Sequence, residues 1–240
     1  MKILITNDDG VQYDGLLPLV KWAKKLGDVT VVAPKFEQSG KSHGIELHKP
    51  FEVKRFQLLP DVVCYSVDST PADCVRFAVL GLKEHFDLVI SGINNGLNIG
   101  TDTMYSGTVA AAFEAAIQGI NALAISADFG KHLAAAEHLD MVWDFMQEKH
   151  LFELNGVYNV NIPENPKGFR FTRQGGAYYS DDFEPCENDL YMPVGKCVYE
   201  DRADESIDTD AVMRGYISIT PLTIDRTDRA VYSKLASKLN

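Results

Sequence analysis

Two short apolar runs flanking one amphipathic stretch constrain this chain most. Residues 2–6, KILIT, run into NDDG and read as a buried strand ending in a turn. Residues 15–26, GLLPLVKWAKKL, place Leu16, Leu19, Val20 and Ala23 at helical spacing, with Gly27 as a stop. DVTVVAP at 28–34 is a second buried strand, closed by proline. A β-α-β opening calls for a parallel sheet with a right-handed crossover, because parallel strands cannot be joined by a tight turn.

The alternation continues. HGIELHKPFEVKRF at 43–56 and VVCYSV at 62–67 read as more antiparallel segments. TPADCVRFAVLGL at 70–82 reads as a helix, with threonine to cap it, proline at its first position and aspartate in its first turn. FDLVIS at 86–91 is a strand, GINNGLNIGTDTMYSGT at 92–108 a loop, VAAAFEAAIQG at 109–119 a helix, NALAISA at 121–127 a strand and HLAAAEHLDMVWDFMQE at 132–148 a helix. Up to about residue 160 this is a doubly wound α/β pattern. Residues 175–210 are polar and acidic and predict an excursion or hairpin without a core of its own; GYISITPL at 215–222 returns as a strand and DRAVYSKLASKL at 228–239 as a helix.

With 240 residues, the chain suits one large domain, or one domain with an appendage, and buries a core without disulfide or metal staples. Its net charge of −11 makes it a poor binder of nucleic-acid duplexes or anionic membranes. A phosphate-bearing ligand therefore needs a local positive element, such as a metal ion or a helix N-terminus. No apolar run reaches the ~18 residues of a membrane span, and MKILITNDDG lacks the form of a signal peptide, so the expected location is cytoplasmic. Cys64, Cys74, Cys186 and Cys197 form no CxxC pair; buried free thiols are expected, with a Cys186–Cys197 disulfide as the alternative in an oxidising compartment.

In doubly wound sheets ligands bind beyond the carboxyl ends of the strands. The first strand ends at Asn7, Asp8, Asp9 and Gly10, where a turn can bring both carboxylates to one point. Adjacent carboxylates repel unless a cation lies between them, and hard oxygens suit Mg²⁺, Mn²⁺ or Ca²⁺. The same residues are also ordinary turn formers. After the second strand the loop offers Ser39, Lys41, Ser42 and His43, with serine as an oxygen ligand or phosphate donor or simply as part of a solvated loop. After the strand at 86–91 come Asn94 and Asn95, whose amides supply a neutral oxygen ligand or a donor to phosphate, or merely tolerate left-handed backbone. Ser106, Gly107 and Thr108 open an alanine-rich helix, where exposed N–H groups and the dipole make an anion site, whether or not a hydroxyl also caps the helix. Three loops at one sheet edge thus point to metal-assisted phosphate chemistry.

These stretches, ILITNDDG at 3–10, VVAPKFEQSGKSHGIELH at 31–48, TPADCVRFA at 70–78, SGINNGLNIGTDTMYSGTVAAAFEAA at 91–116, FTRQ at 171–174 and GYISITPL at 215–222, resemble the SurE survival-protein family of metal-dependent 5′/3′-nucleotidases. The resemblance spans most of the chain in order. It implies a single α/β domain over 1–240, with a Rossmann-like, mostly parallel doubly wound core at about 1–165 plus 211–222. It also implies an extended C-terminal hairpin excursion at about 175–210 used in oligomer contacts, commonly of dimers or tetramers. It implies hydrolysis of nucleoside 5′- and 3′-monophosphates with one divalent cation per subunit, Mg²⁺ or Mn²⁺, held by Asp8, Asp9, Ser39 and Asn94. On this reading Asp8 or Asp9 also serves as base or nucleophile, Asn95, Ser106, Gly107 and Thr108 donate to the phosphate, and His43 is a candidate acid for the leaving alkoxide. Ser69 stands where the family usually has a glycine before TPADC, and Ala115 stands near a usual glycine; both bear on packing rather than chemistry.

Other α/β classes fit less well. Phosphatases that form an aspartyl-phosphate space their aspartates one residue apart, whereas Asp8 and Asp9 are adjacent. Signalling receivers carry a phosphorylatable aspartate at a neighbouring strand end, where this chain has Ser91-Gly92. Dinucleotide-binding enzymes carry GxGxxG in the first turn, where NDDGVQYDG would repel a pyrophosphate.

Overall fold

The computed structural model describes residues 1–238. The opening pattern forms β1 (Lys2–Thr6), α1 (Leu16–Ala23) and β2 (Asp28–Pro34), with β1 and β2 parallel. Then follow β3 (Val53–Phe56), β4 (Val63–Val67), α2 (Pro71–Arg76), β5 (Leu88–Asn95), α3 (Gly107–Ile117), β6 (Asn121–Ala127), α4 (His132–Ala136), α5 (Leu139–Glu148), α6 (Leu151–Leu154) and β7 (Val157–Ile162). The chain ends with β8 (Phe169–Phe171), β9 (Tyr179–Pro185), β10 (Tyr191–Cys197), α7 (Asp208–Met213), β11 (Ile217–Pro221) and α8 (Arg229–Ala236).

One nine-stranded sheet runs in the order β3-β4-β2-β1-β5-β6-β7-β11-β8. From β4 to β7 all neighbours are parallel, while β3 and β11 join antiparallel, to β4 and β7 respectively. Alternation along β1 divides the core between the two faces of the sheet. Ile3 and Ile5 pack with Leu16, Leu19, Leu139 and Met146 on one side, and Leu4 packs with Cys74, Val75, Val109 and Ala112 on the other. From β1 the chain moves to β2 on one side and later to β5 on the other, so the direction of winding reverses between β1 and β5. A ligand crevice is expected at that reversal.

Several elements depart from the sequence pattern. Of the segment 43–56 only β3 is a strand, and residues 43–52 are irregular. The helix at 70–82 has its Thr70 cap, accepting from Asp73 N at 3.1 Å, but passes into a π-helical turn at Phe77–Gly81. The stretch 132–148 breaks into α4 and α5, because around 137–138 the backbone tightens to i→i−3 bonds, from Glu137 N to Ala134 O and from His138 N to Ala135 O. β5 runs on to Asn95, with an irregularity between Ser91 and Asn94. Gly92 permits this: its φ is +143°, and a Cβ there would lie 2.3 Å from the Ile125 carbonyl oxygen.

The excursion forms a two-stranded antiparallel hairpin, β9–β10, outside the main sheet. The hydrophobicity pattern did not reveal α7, whose Asp208 ties the excursion to the core. One Asp208 oxygen accepts from Gly175 N and Thr209 N, each at 2.7 Å, and the other accepts from Gly100 N at 3.0 Å. No residue of α8 is buried, and Leu239 of the expected 228–239 helix lies outside the described residues. All four cysteines are free; Cys64 and Cys74 are buried, whereas Cys186 and Cys197 are exposed on the hairpin side of the chain.

Gly92→Ala is expected to destabilise the fold by at least about 1–3 kcal/mol, since it adds backbone strain to a steric clash. The measurement is a lower urea midpoint at unchanged m-value.

Candidate active site

The turn after β1 is locked by its own first residue. Asn7 is fully buried; its Nδ2 donates to Gly10 O at 3.0 Å and its Oδ1 accepts from Gly10 N at 3.2 Å. This closed turn holds Asp8 and Asp9 at the reversal between β1 and β5. The loop after β2 is fastened to it, with Val11 N donating to Pro34 O at 2.8 Å and Gln38 N to Asp8 O at 2.7 Å. Ser39 follows directly. It is exposed, and its hydroxyl donates to Glu37 Oε1 at 2.8 Å.

From the β5 side, Asn95 N donates to Asp9 Oδ2 at 3.3 Å. Asn94 spends its Nδ2 on Gly96 O at 2.8 Å, which leaves its Oδ1 as the atom available to a cation. Asn95 Oδ1 accepts from Gly130 N at 2.7 Å, so only its Nδ2 remains for a ligand. The loop beyond is clamped by β7. Asn161 Oδ1 accepts from Asn98 N at 2.8 Å, Asn159 and Asn161 both donate to Asn98 O, and Asn98 donates to Ser126 Oγ. Sequence reasoning missed this clamp; its signal was two asparagines inside the apolar strand VYNVNI.

α3 approaches from the third side. Ser106 caps it, accepting from Val109 N at 3.1 Å. At Gly107 an added Cβ would lie 2.8 Å from Asp8 Cβ, so only glycine allows the helix so close. The Thr108 hydroxyl donates to Asp8 Oδ1 in a short hydrogen bond. The helix start expected to cradle a substrate phosphate thus already holds one anion, the Asp8 carboxylate, and Thr108 is committed to it.

His43 bonds through Nε2 to Glu114 Oε2 at 3.0 Å. Glu114 is buried within α3 and also accepts from Gln118 Nε2 at 2.9 Å. These bonds, with Arg76 nearby, hold the Glu114 carboxyl below its ordinary value against the opposing effect of burial. Ser42 binds the turn before α3 twice, through its N to Tyr105 O and its Oγ to Met104 O. His43 is therefore part of a pin between the 41–44 loop and α3. The signal for its partner was one glutamate in the apolar run VAAAFEAA.

Electrostatics set the character of the site. Burial pushes the Asp8 carboxyl up from its ordinary value, against the hydrogen bonds of Thr108 and Gly107. Asp9 is raised to about 7 by burial and then by the negative charges of Asp8, Glu37 and Asp14. Tyr13 is raised by burial and by Asp9 and Asp14. Among the described residues no Lys, Arg or His pairs with Asp8 or Asp9. A divalent cation suits this donor set of two carboxylates, the Asn94 amide oxygen and the Ser39 hydroxyl, all hard oxygens. Among the described residues no three His, Cys, Asp or Glu are placed together to hold a metal ion, so any metal here depends on neutral oxygens as well. A cavity of about 760 Å³ elsewhere, between Leu151, Tyr158 and Phe171, contains none of the sequence-derived site residues.

The family model described as "Survival protein SurE" matches residues 3–181. A protein named 5′-nucleotidase SurE from Thermoanaerobacter sp. (strain X514) is 43% identical over 240 residues, covering 95% of this chain and 94% of its own length. Its namesake from Caldanaerobacter subterraneus subsp. tengcongensis is 41% identical over 248 residues, covering 98% and 96%. The crystal structure of the SurE protein from Aquifex aeolicus superposes with a TM-score of 0.78 at 33% identity, covering 100% of both chains.

The metal-free site generates a pH dependence. Asp9 is raised in the fold from 3.8 to about 7, so folding favours its protonated form. Its contribution to stability is complete below 3.8 and is lost as pH rises through about 7. In EDTA, the stability difference between the unsubstituted protein and Asp9→Asn is expected to shift in favour of the variant between pH 4 and pH 8, read from urea midpoints. A difference independent of pH would contradict this electrostatic account.

Proposed function

The chain belongs to the SurE family, and we infer from this membership that it is a 5′-nucleotidase. We propose that it is a metal-dependent phosphomonoesterase converting nucleoside 5′-monophosphates, and 3′-monophosphates, to nucleoside and phosphate. One observation carries the metal dependence: a carboxylate pair at the reversal of the sheet, Asp8 buried and Asp9 partly buried, with no cationic side chain against it among the described residues.

Asp8, Asp9, Asn94 and Ser39 are the residues that would hold the ion. When bound there, Mg²⁺ or Mn²⁺ supplies a Lewis acid to the phosphoryl oxygens. The rest of the chemistry falls to the chain. Asp8 is fixed from above by Thr108 and the start of α3, so its task is to hold charge in place. Asp9 is less buried and, among the described residues, is bound only by the Asn95 N–H, which makes it the better proton acceptor for the attacking water. Asn95 Nδ2 and the Ser106 hydroxyl are the donors for phosphate oxygens that bear more charge in the transition state. His43 is assigned to holding the 41–44 loop, since its Nε2 is already engaged by Glu114.

The proposed setting is cytoplasmic and the proposed assembly a homodimer or homotetramer. Phe183, Leu190, Tyr191 and Met192 stand exposed on the hairpin and its turn, and Val231, Tyr232 and Leu235 on α8, an amount of apolar surface suited to contacts between copies. No helix among the described residues is long and apolar enough to cross a membrane.

Asp8→Asn or Asp9→Asn is expected to lower kcat on 5′-AMP by about 10²–10³-fold or more, with circular dichroism unchanged. Near-normal turnover in either variant would remove the proposed site. EDTA is expected to abolish hydrolysis and Mg²⁺ or Mn²⁺ to restore it, measured as phosphate release; full activity after exhaustive chelation would overturn the metal dependence.

A further inference from the structure

Asp208 opens α7 and is fully buried, and the hydrogen bonds its carboxylate accepts come from backbone N–H groups. One oxygen takes those of Gly175 and Thr209, at the base of the excursion; the other takes that of Gly100, 108 residues away in the sequence. Burying a carboxylate is costly, and charge-assisted bonds of this kind offset the cost. The same two segments are also pressed together. Gly100 has a φ of +56°, a Cβ on it would lie 2.0 Å from Gly176 O, and Thr101 N donates to that oxygen at 3.2 Å.

Gly100–Met104 is a short 3₁₀ turn, and the start of a helical turn leaves its first N–H groups without partners of its own. Asp208 and Gly176 supply them for Gly100 and Thr101. At the far end of the turn, Met104 O accepts from Ser42 Oγ at 2.7 Å and Tyr105 O from Ser42 N at 2.9 Å, and Ser106 and Thr108 follow at the start of α3. Thr101, Met104 and Tyr105 are exposed, so polar bonds rather than apolar burial set the path of this segment. Of those bonds, the one from Asp208 ties it to the excursion.

We propose that Asp208 is a positioning residue of the reaction: through the Gly100 N–H it fixes the 100–105 segment, and with it the Ser106 hydroxyl assigned to the phosphate. This deepens the nucleotidase reading above and rests on it. A donor that acts on charge developing in the transition state has to be in place before the reaction, and a small misplacement lowers turnover more than binding. Asp208→Asn separates this role from general support of the excursion. An amide has one accepting oxygen. Turned toward Gly175 and Thr209 it keeps two bonds and sets its NH₂ against the Gly100 N–H, so the bond lost is the one to the catalytic loop. Asp210 is the matched control. It is equally buried in α7, and a single oxygen accepts from Arg202 N and Asp204 N within the excursion, so Asp210→Asn removes the charge and keeps both bonds.

The test measures kcat and KM for 5′-AMP, and the Mn²⁺ concentration giving half-maximal activity, in the full chain. In Asp208→Asn kcat is expected to fall about 10–100-fold, with KM and the Mn²⁺ requirement within about twofold, because Asp8, Asp9 and Asn94 are held by other bonds. Asp210→Asn is expected to keep kcat within about twofold. A kcat within about twofold in Asp208→Asn, or an equal fall in Asp210→Asn, would overturn the proposal. Should Asp208→Asn not fold, Gly100→Ala, whose Cβ parts the same two segments, decides by the same criteria. If the unsubstituted protein hydrolyses no phosphomonoester, the nucleotidase reading fails instead. The tether is then judged by hydrogen exchange at the Thr101 and Tyr105 amides, both hydrogen-bonded in the structure: faster exchange in Asp208→Asn supports it, and unchanged exchange overturns it.

Discussion

Two neighbouring carboxylates at the open end of a parallel sheet, one buried and one partly buried, and without a cationic partner among the described residues, are the constraint around which this structure is arranged. Taking an unpaired carboxylate out of water is costly, and placing a second one beside it adds repulsion. The chain offsets part of this with the Thr108 hydroxyl and the α3 amides on Asp8 and the Asn95 N–H on Asp9. What remains uncompensated is negative charge, at the edge where the loops after β1, β2 and β5 are tied together. That charge is what the proposed cation would neutralise.

Holding those loops together requires polar bonds rather than apolar burial, since the crevice has to stay open to a ligand. Asn7 closes the first turn, Gln38 ties the second loop to it, Asn95 ties the third to both Asp9 and the turn at Gly130, and Asn98 is clamped by β7. Most of these bonds join a side chain to a backbone group, so they fix the path of a loop without filling the space in front of it. The route to the hairpin follows the same logic. Asp208 holds Gly100 and Gly175 together, so the base of the excursion is attached to the loop leading into α3. The loop before α3 and the base of the projecting hairpin are thereby joined through one buried carboxylate.

α3 serves two surfaces of the molecule. Thr108 and Gly107 meet Asp8 at its start, while Phe113 and Ile117 line a groove farther along it. An alanine-rich helix suits this double duty. Small side chains let it pack closely against the sheet, burying Val109, Ala111, Ala112 and Ala115 there, and leave the few larger or polar residues to do specific tasks.

By itself the sequence determined the alternation of strands and helices through β6, the Thr70 cap, and the placement of Asp8, Asp9, Asn94 and Asn95 at or just past strand ends, because periodicity and turn chemistry are local properties. The resemblance of its motifs added the family. Neither fixed which loop would meet which. That Thr108 serves Asp8 rather than a ligand, that Glu114 engages His43, that β5 runs past Gly92 to Asn95, and that Asp208 anchors the hairpin were decided only when distant segments packed together. The partners in these bonds are separated by tens of residues in the chain, and hydrophobic period reports which face of an element is buried, not what lies against it.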